Sequence, residues 1–161
     1  FMWTIAALGE EGAFEFWNKV KNNVLTFTSG WSAAFKMLET GEADMIVSYA
    51  TDGAYSMHRY GTIKYMPVIF EEGAYVLEEY ASVVKGAKNS ALARAFIEFM
   101  LTPDFQREVP LNQWMYPVIN VELPEVFRKY VPQPKKILKL PSDINKRLDE
   151  LLKRWESTVI G

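Results

Sequence analysis

Apolar residues recur at near-helical spacing in three stretches of this chain, and gather in short continuous runs in several others; the two patterns predict different elements. Across residues 11–20, Phe14, Phe16, Trp17 and Val20 stand among charged neighbours, which predicts a helix ended by the turn formers Lys21-Asn22-Asn23. Ahead of it, the apolar residues 1–8 run into Gly9-Glu10-Glu11-Gly12, which reads as an internal helix and gives the expectation that the chain begins in mid-protein. Residues 32–38 are rich in helix formers, with Gly41 to close them. Residues 90–101 carry Leu92, Ala95, Phe96, Phe99 and Met100 on one stripe, and Pro103 stops that helix and permits a new first turn at Asp104-Phe105-Gln106. A last helix over 142–158, capped by Ser142 or Asp143, presents Ile144, Leu148, Leu151, Leu152 and Trp155 and needs a surface to cover.

The continuous runs predict strands. Residues 24–27, 63–70 and 74–84 are β-prone, and 43–49 suits a strand buried on both faces, as parallel sheets require. Helices alternating with such runs argue for an α/β fold. Beyond Pro110, the prolines at 117, 124, 132, 134 and 141 predict a connecting region ahead of the final helix.

Composition narrows the chemistry. At 161 residues and 49% hydrophobic, the chain can bury one sizeable core. A net charge of −2 supplies no basic field for nucleic-acid phosphates. The absence of cysteine excludes disulfides, thiolate metal sites and a cysteine nucleophile, and the single histidine, His58, argues against a metal cluster. The glycines never fall into phosphate-cradling spacings, and Gly30-Trp31-Ser32-Ala33-Ala34 lacks the closing glycine of a nucleophile elbow. No catalytic residue, metal ligand or resident cofactor is therefore assigned.

Aromatic residues instead stand where loops and strand ends are expected. Trp31 follows Thr28-Ser29-Gly30, Tyr49 ends a predicted buried strand, Tyr55 follows Thr51-Asp52-Gly53, and Trp114 and Tyr116 precede Pro117. Strand ends are where α/β sheets hold ligands, and rings there stack on flat heterocycles and attract cations. Two plainer explanations stay open: the rings are core fillers, and Asp52 is a turn residue rather than a carboxylate facing a ligand.

The motifs Thr28-Ser29-Gly30-Trp31-Ser32-Ala33-Ala34-Phe35, Gly41-Glu42-Ala43-Asp44, Ser48-Tyr49, Ala54-Tyr55, Pro103-Asp104-Phe105-Gln106 and Trp114-Met115-Tyr116-Pro117 occur in this order along the chain. In them the chain resembles the thiamine-binding family of ABC-importer solute-binding proteins, within the type II periplasmic-binding-protein superfamily. The resemblance implies a three-layer αβα lobe, truncated, with the first lobe largely absent. Residues 1–105 would form the second α/β lobe, and 106–161 a Pro-rich connection and amphipathic helix returning to the first. Trp31, Tyr49, Tyr55 and Trp114, with Ser32 and Asp52, would line a cleft for thiamine or its phosphates.

The implied partners are an ABC permease and either the missing first lobe or a segment-swapped homodimer, since the apolar stripe of 142–158 is expected to lie exposed. The implied location is periplasmic or extracellular, with membrane anchoring through the missing region. Alternatives are a ferric-iron or polyamine-type binding protein of the same superfamily, or an enzyme of thiamine or pyrimidine metabolism on the same fold.

Overall fold

The computed structural model describes residues 1–160. Among the described residues, seven α-helices, one 3-10 turn and one short parallel ladder are formed: α1 (Met2–Val20), the turn Lys21–Asn23, α2 (Trp31–Thr40), α3 (Asp52–Tyr60), β1 (Ala74–Tyr75), α4 (Ser90–Met100), α5 (Pro103–Gln113), α6 (Glu125–Tyr130), β2 (Ile137–Leu138) and α7 (Ile144–Ile160). Two compact units share these elements. The first comprises Phe1–Ser48, Ile69–Val76 and Pro134–Gly161; the second comprises Tyr49–Val68 and Leu77–Gln133. Compactness thus divides the chain at 48, 68, 76 and 133.

In the first unit α1 packs on α7. Ile5, Ala13 and Phe14 of α1 meet Ile144 and Leu151 of α7, with Phe1, Met2, Leu140 and Trp155 around them. This corrects the expectation that the stripe of the last helix lies bare: α1 supplies the apolar surface it needed. Beyond Gly9 the first helix runs the same way as α7, because Glu10 bonds Arg147 and Lys21, just past its end, bonds the Thr158 carbonyl, a step of 11 residues on both. Eleven residues make about three turns, so both contacts fall on one face. The guanidinium of Arg147 grips Glu10 through two bonds of 2.8 and 3.0 Å, and that of Arg154 grips Glu11 through two of 2.8 Å. The first fork is part-buried and the second exposed, and the exposed one fixes register more than it stabilises. Arg154 also holds the Glu11 carboxyl below the usual carboxylate range, chiefly by that hydrogen bond.

Within α1 the helical dihedrals are broken at Gly9 (φ 73°, ψ 174°), a conformation that only glycine adopts cheaply. Side chains bridge the kink: the Trp17 indole donates to Thr4 Oγ1 at 3.0 Å, and Thr4 donates to the Phe1 carbonyl at 2.6 Å. The Trp3 indole ties the first segment to the Gly73 carbonyl at 2.9 Å, beside the β1–β2 ladder, where Ala74 pairs with Ile137 and Tyr75 with Leu138.

The second unit is built on α3 and α6, whose core is Ala54, Phe127 and Val131. Gly53 is needed for their close approach: a Cβ there would lie 2.6 Å from the Tyr130 carbonyl oxygen. Buried Ser56 donates to the Thr62 carbonyl at 3.0 Å and accepts from the Lys64 amide at 2.7 Å, which fastens the turn after α3. Buried Gln106 spans α5's surroundings, donating to the Met100 carbonyl at 2.7 Å and accepting from the Val118 amide at 2.8 Å.

The helices predicted from pattern are present. Gly41 ends α2 in the left-handed region, and Thr102 caps α5 ahead of Pro103, accepting from the Phe105 amide at 3.5 Å. Three features of the helices differ from expectation: α3 forms where a loop was expected, so Tyr55 lies on a helix, α5 continues past Pro110 to Gln113, and α6 lies inside the proline-punctuated region. Among the described residues, 24–27, 43–49 and 63–70 carry no ladder. A strand requires a neighbouring strand for its backbone groups, and only 74–75 and 137–138 supply one another. The run predicted to be doubly buried is therefore open, with Met45 86% and Val47 91% exposed. The stripe of α4 is likewise uncovered at Leu92, Phe96 and Phe99.

Candidate functional site

The loop 28–30 leads into α2 in the first unit, where the Thr28 hydroxyl donates to the Gly30 carbonyl at 3.0 Å. Trp31 is the first residue of the helix, and Ser32 beside it is exposed. One turn on, buried Phe35 stacks against the Trp31 ring with centroids 4.7 Å apart and planes at 27°. The Trp31 indole N–H donates to Ser48 Oγ at 2.7 Å. The ring is thus held on one face and at its nitrogen, while the residue keeps 38% of its surface exposed.

The other candidate residues belong to the second unit. Tyr49 is half exposed, and its carbonyl accepts from the Asp52 amide at 3.2 Å, turning the chain into α3. Asp52 is buried in the first turn of that helix, where a carboxylate is favoured by the helix dipole. Tyr55, one turn further on, meets Trp114 edge to face, with centroids 5.0 Å apart and planes at 90°. Trp114 lies over buried Phe127 at 6.1 Å and 15°, and His58 approaches it at 5.5 Å. Lys64 stands over the rings of Tyr60 and Tyr65 at 5.1 and 5.3 Å.

Trp114 ends α5 at φ 57°, ψ 32° and is the one non-glycine with positive φ among the described residues. A side chain in the left-handed region costs about 1–2 kcal/mol, so the packing of the indole on Phe127 and Tyr55 offsets a backbone that glycine would adopt freely. Chemically, these arrangements stack flat rings and attract cations through their negative faces.

Tyr55 and Trp114, 59 positions apart in sequence, are thereby brought together; Tyr49 and Asp52 meet through the backbone; Trp31 makes its contacts with Phe35 and Ser48. Sequence reasoning passed over Phe35, Ser48 and Phe127 as parts of these clusters. The i, i+4 spacing of Trp31 and Phe35 was a usable signal. Ser48 stood in the sequence only as part of the Ser48-Tyr49 motif, and nothing local marks Phe127.

Over residues 1–107 the sequence matches the family described as bacterial extracellular solute-binding protein. It is 32% identical over 158 residues to the thiamine-binding periplasmic protein of Escherichia coli strain K12, covering 98% of this chain and 48% of that protein. It is 38% identical over 143 residues to the thiamine-binding periplasmic protein of Brucella melitensis biotype 1, covering 87% and 42%. A solved structure of a periplasmic thiamin binding protein is similar at a TM-score of 0.91 and 33% identity, over 98% of this chain and 49% of that one. The chain spans about half the length of the curated relatives it matches. That structural likeness shows the expected α/β periplasmic-binding-protein fold, present here over about half of the matched chain.

Proposed function

The chain belongs to the family of bacterial extracellular solute-binding proteins, and from that premise we propose that it captures thiamine, with thiamine phosphates as further ligands, and passes it to the permease of an ABC importer. The observation that carries this reading is the Tyr55–Trp114–Phe127 stack, in which a strained backbone holds an indole edge-on to a tyrosine. Thiamine offers a flat pyrimidine and a cationic thiazolium ring, the two features such rings recognise. The names of the relatives, thiamine-binding periplasmic proteins, point the same way and to a periplasmic location. No helix among the described residues is long and apolar enough to cross a membrane.

In this reading Trp31, Tyr49, Tyr55 and Trp114 contact the ligand, Ser32 and Asp52 contribute polar groups, and no chemical step takes place. In the whole protein a first lobe completes the cleft. The open apolar run at Met45 and Val47 is covered by that first lobe or by a segment-swapped second copy. Isothermal titration with thiamine and thiamine monophosphate tests the reading: saturable heat at micromolar thiamine is expected, and no binding in that range overturns it.

A further inference from the structure

We propose that Ser48 is a positioning residue, which fixes the Trp31 indole as a preformed stacking platform for the ligand. The inference rests on the reading of Trp31 as a ligand-contacting ring. A tryptophan in the first turn of a helix, 38% exposed, would ordinarily turn about its side-chain bonds. Here two contacts from different directions restrain it. Phe35, itself buried, covers one face at 4.7 Å, and Ser48 Oγ accepts the indole N–H at 2.7 Å. Stacking on Phe35 alone permits the indole to slide and rotate in its plane, whereas a bond to its nitrogen removes that rotation. Phe35 sits on the same helix, but Ser48 lies 17 residues away on a different segment, so the bond also ties the 43–49 run to α2.

A ring already immobilised spares the ligand the entropy of ordering it, and affinity gains accordingly. Ser48→Ala removes the acceptor at an exposed position, while Ser48→Thr keeps it. Thiamine titration of the protein and its Ser48→Ala variant should show affinity weakened roughly three- to tenfold, with Ser48→Thr close to the parent. The Trp31 indole N–H resonance, identified by its loss in Trp31→Phe, provides a reading without ligand. Its protection from solvent exchange should fall in Ser48→Ala and return in Ser48→Thr. Unchanged protection and unchanged thiamine affinity in Ser48→Ala would overturn the proposal. If the parent protein binds no thiamine, the ligand reading fails, while loss of indole protection in Ser48→Ala still supports the role of Ser48 in fixing the ring.

Discussion

Trp155 and Trp114 each sit at the centre of a ring cluster, one in each compact unit, and they are held in opposite ways. Trp155 lies on the face of an ordinary helix and is enclosed by rings: Phe1 at 5.7 Å, and Trp17 and Phe27 edge-on at 5.5 and 5.0 Å. Its buried indole N–H has no hydrogen-bond partner among the described residues. Trp114 is carried by a left-handed residue at a helix end, lies over Phe127 and meets Tyr55 edge-on. Trp155 thus sacrifices a hydrogen bond to fill a core, whereas Trp114 accepts backbone strain to point its ring. Residue type alone does not make this distinction, since both are tryptophans near loops or chain ends.

The comparison is broken most directly at the support of the second cluster. Phe127 is 1% exposed, and Phe127→Ala should lower stability by about 3–5 kcal/mol in urea unfolding and abolish thiamine binding in any fraction that stays folded. Retained affinity in a folded Phe127→Ala protein would mean that Trp114 does not need its support. Trp155→Ala comes next, at about 2 kcal/mol, because the lost packing is partly offset by removing an unpartnered N–H. Its thiamine-induced fluorescence quenching should persist, whereas Trp31→Ala and Trp114→Ala should lose it; quenching lost with Trp155 would erase the distinction.

The smallest effect concerns the α1–α7 forks that surround the first cluster. Arg154→Gln should lower the melting temperature slightly at neutral pH. Because Arg154 depresses the folded-state carboxyl of Glu11 below its unfolded value, the contribution is present above the carboxylate range and is lost as pH falls through it. The parent and variant melting curves should therefore converge on acidification, and a gap that persists at low pH would assign the effect to packing of Arg154 over the Phe14 ring, 3.8 Å away.

What the sequence disclosed follows from where each element finds its hydrogen bonds. Helices satisfy their backbone within the segment, so the stripe of α7, the Gly41 terminus and the Thr102–Pro103 start were all readable. The 43–49 run was readable as apolar but not as unpaired, because pairing depends on chain elsewhere. Trp31, Tyr55 and Trp114 stood out by their place next to turns, yet the partners that orient them did not. Ser48 reaches Trp31 across 17 residues, and Phe127 hides in a short helix among prolines. Asp52 proved to be a buried helix-start residue, a placement its flanking turn formers left open.

The pairing of the first helix with the last also sets an order of events during synthesis. Glu10 must wait for Arg147, 137 residues later, before the first unit can close, whereas the second unit is complete once Gln133 has been made. A nascent chain therefore carries an unsatisfied α1 while its middle already has the residues for a core, and contacts of such long sequence separation form slowly. The aromatic surface of α1, with Phe14 and Trp17, consequently stays without its partner until α7 has been made.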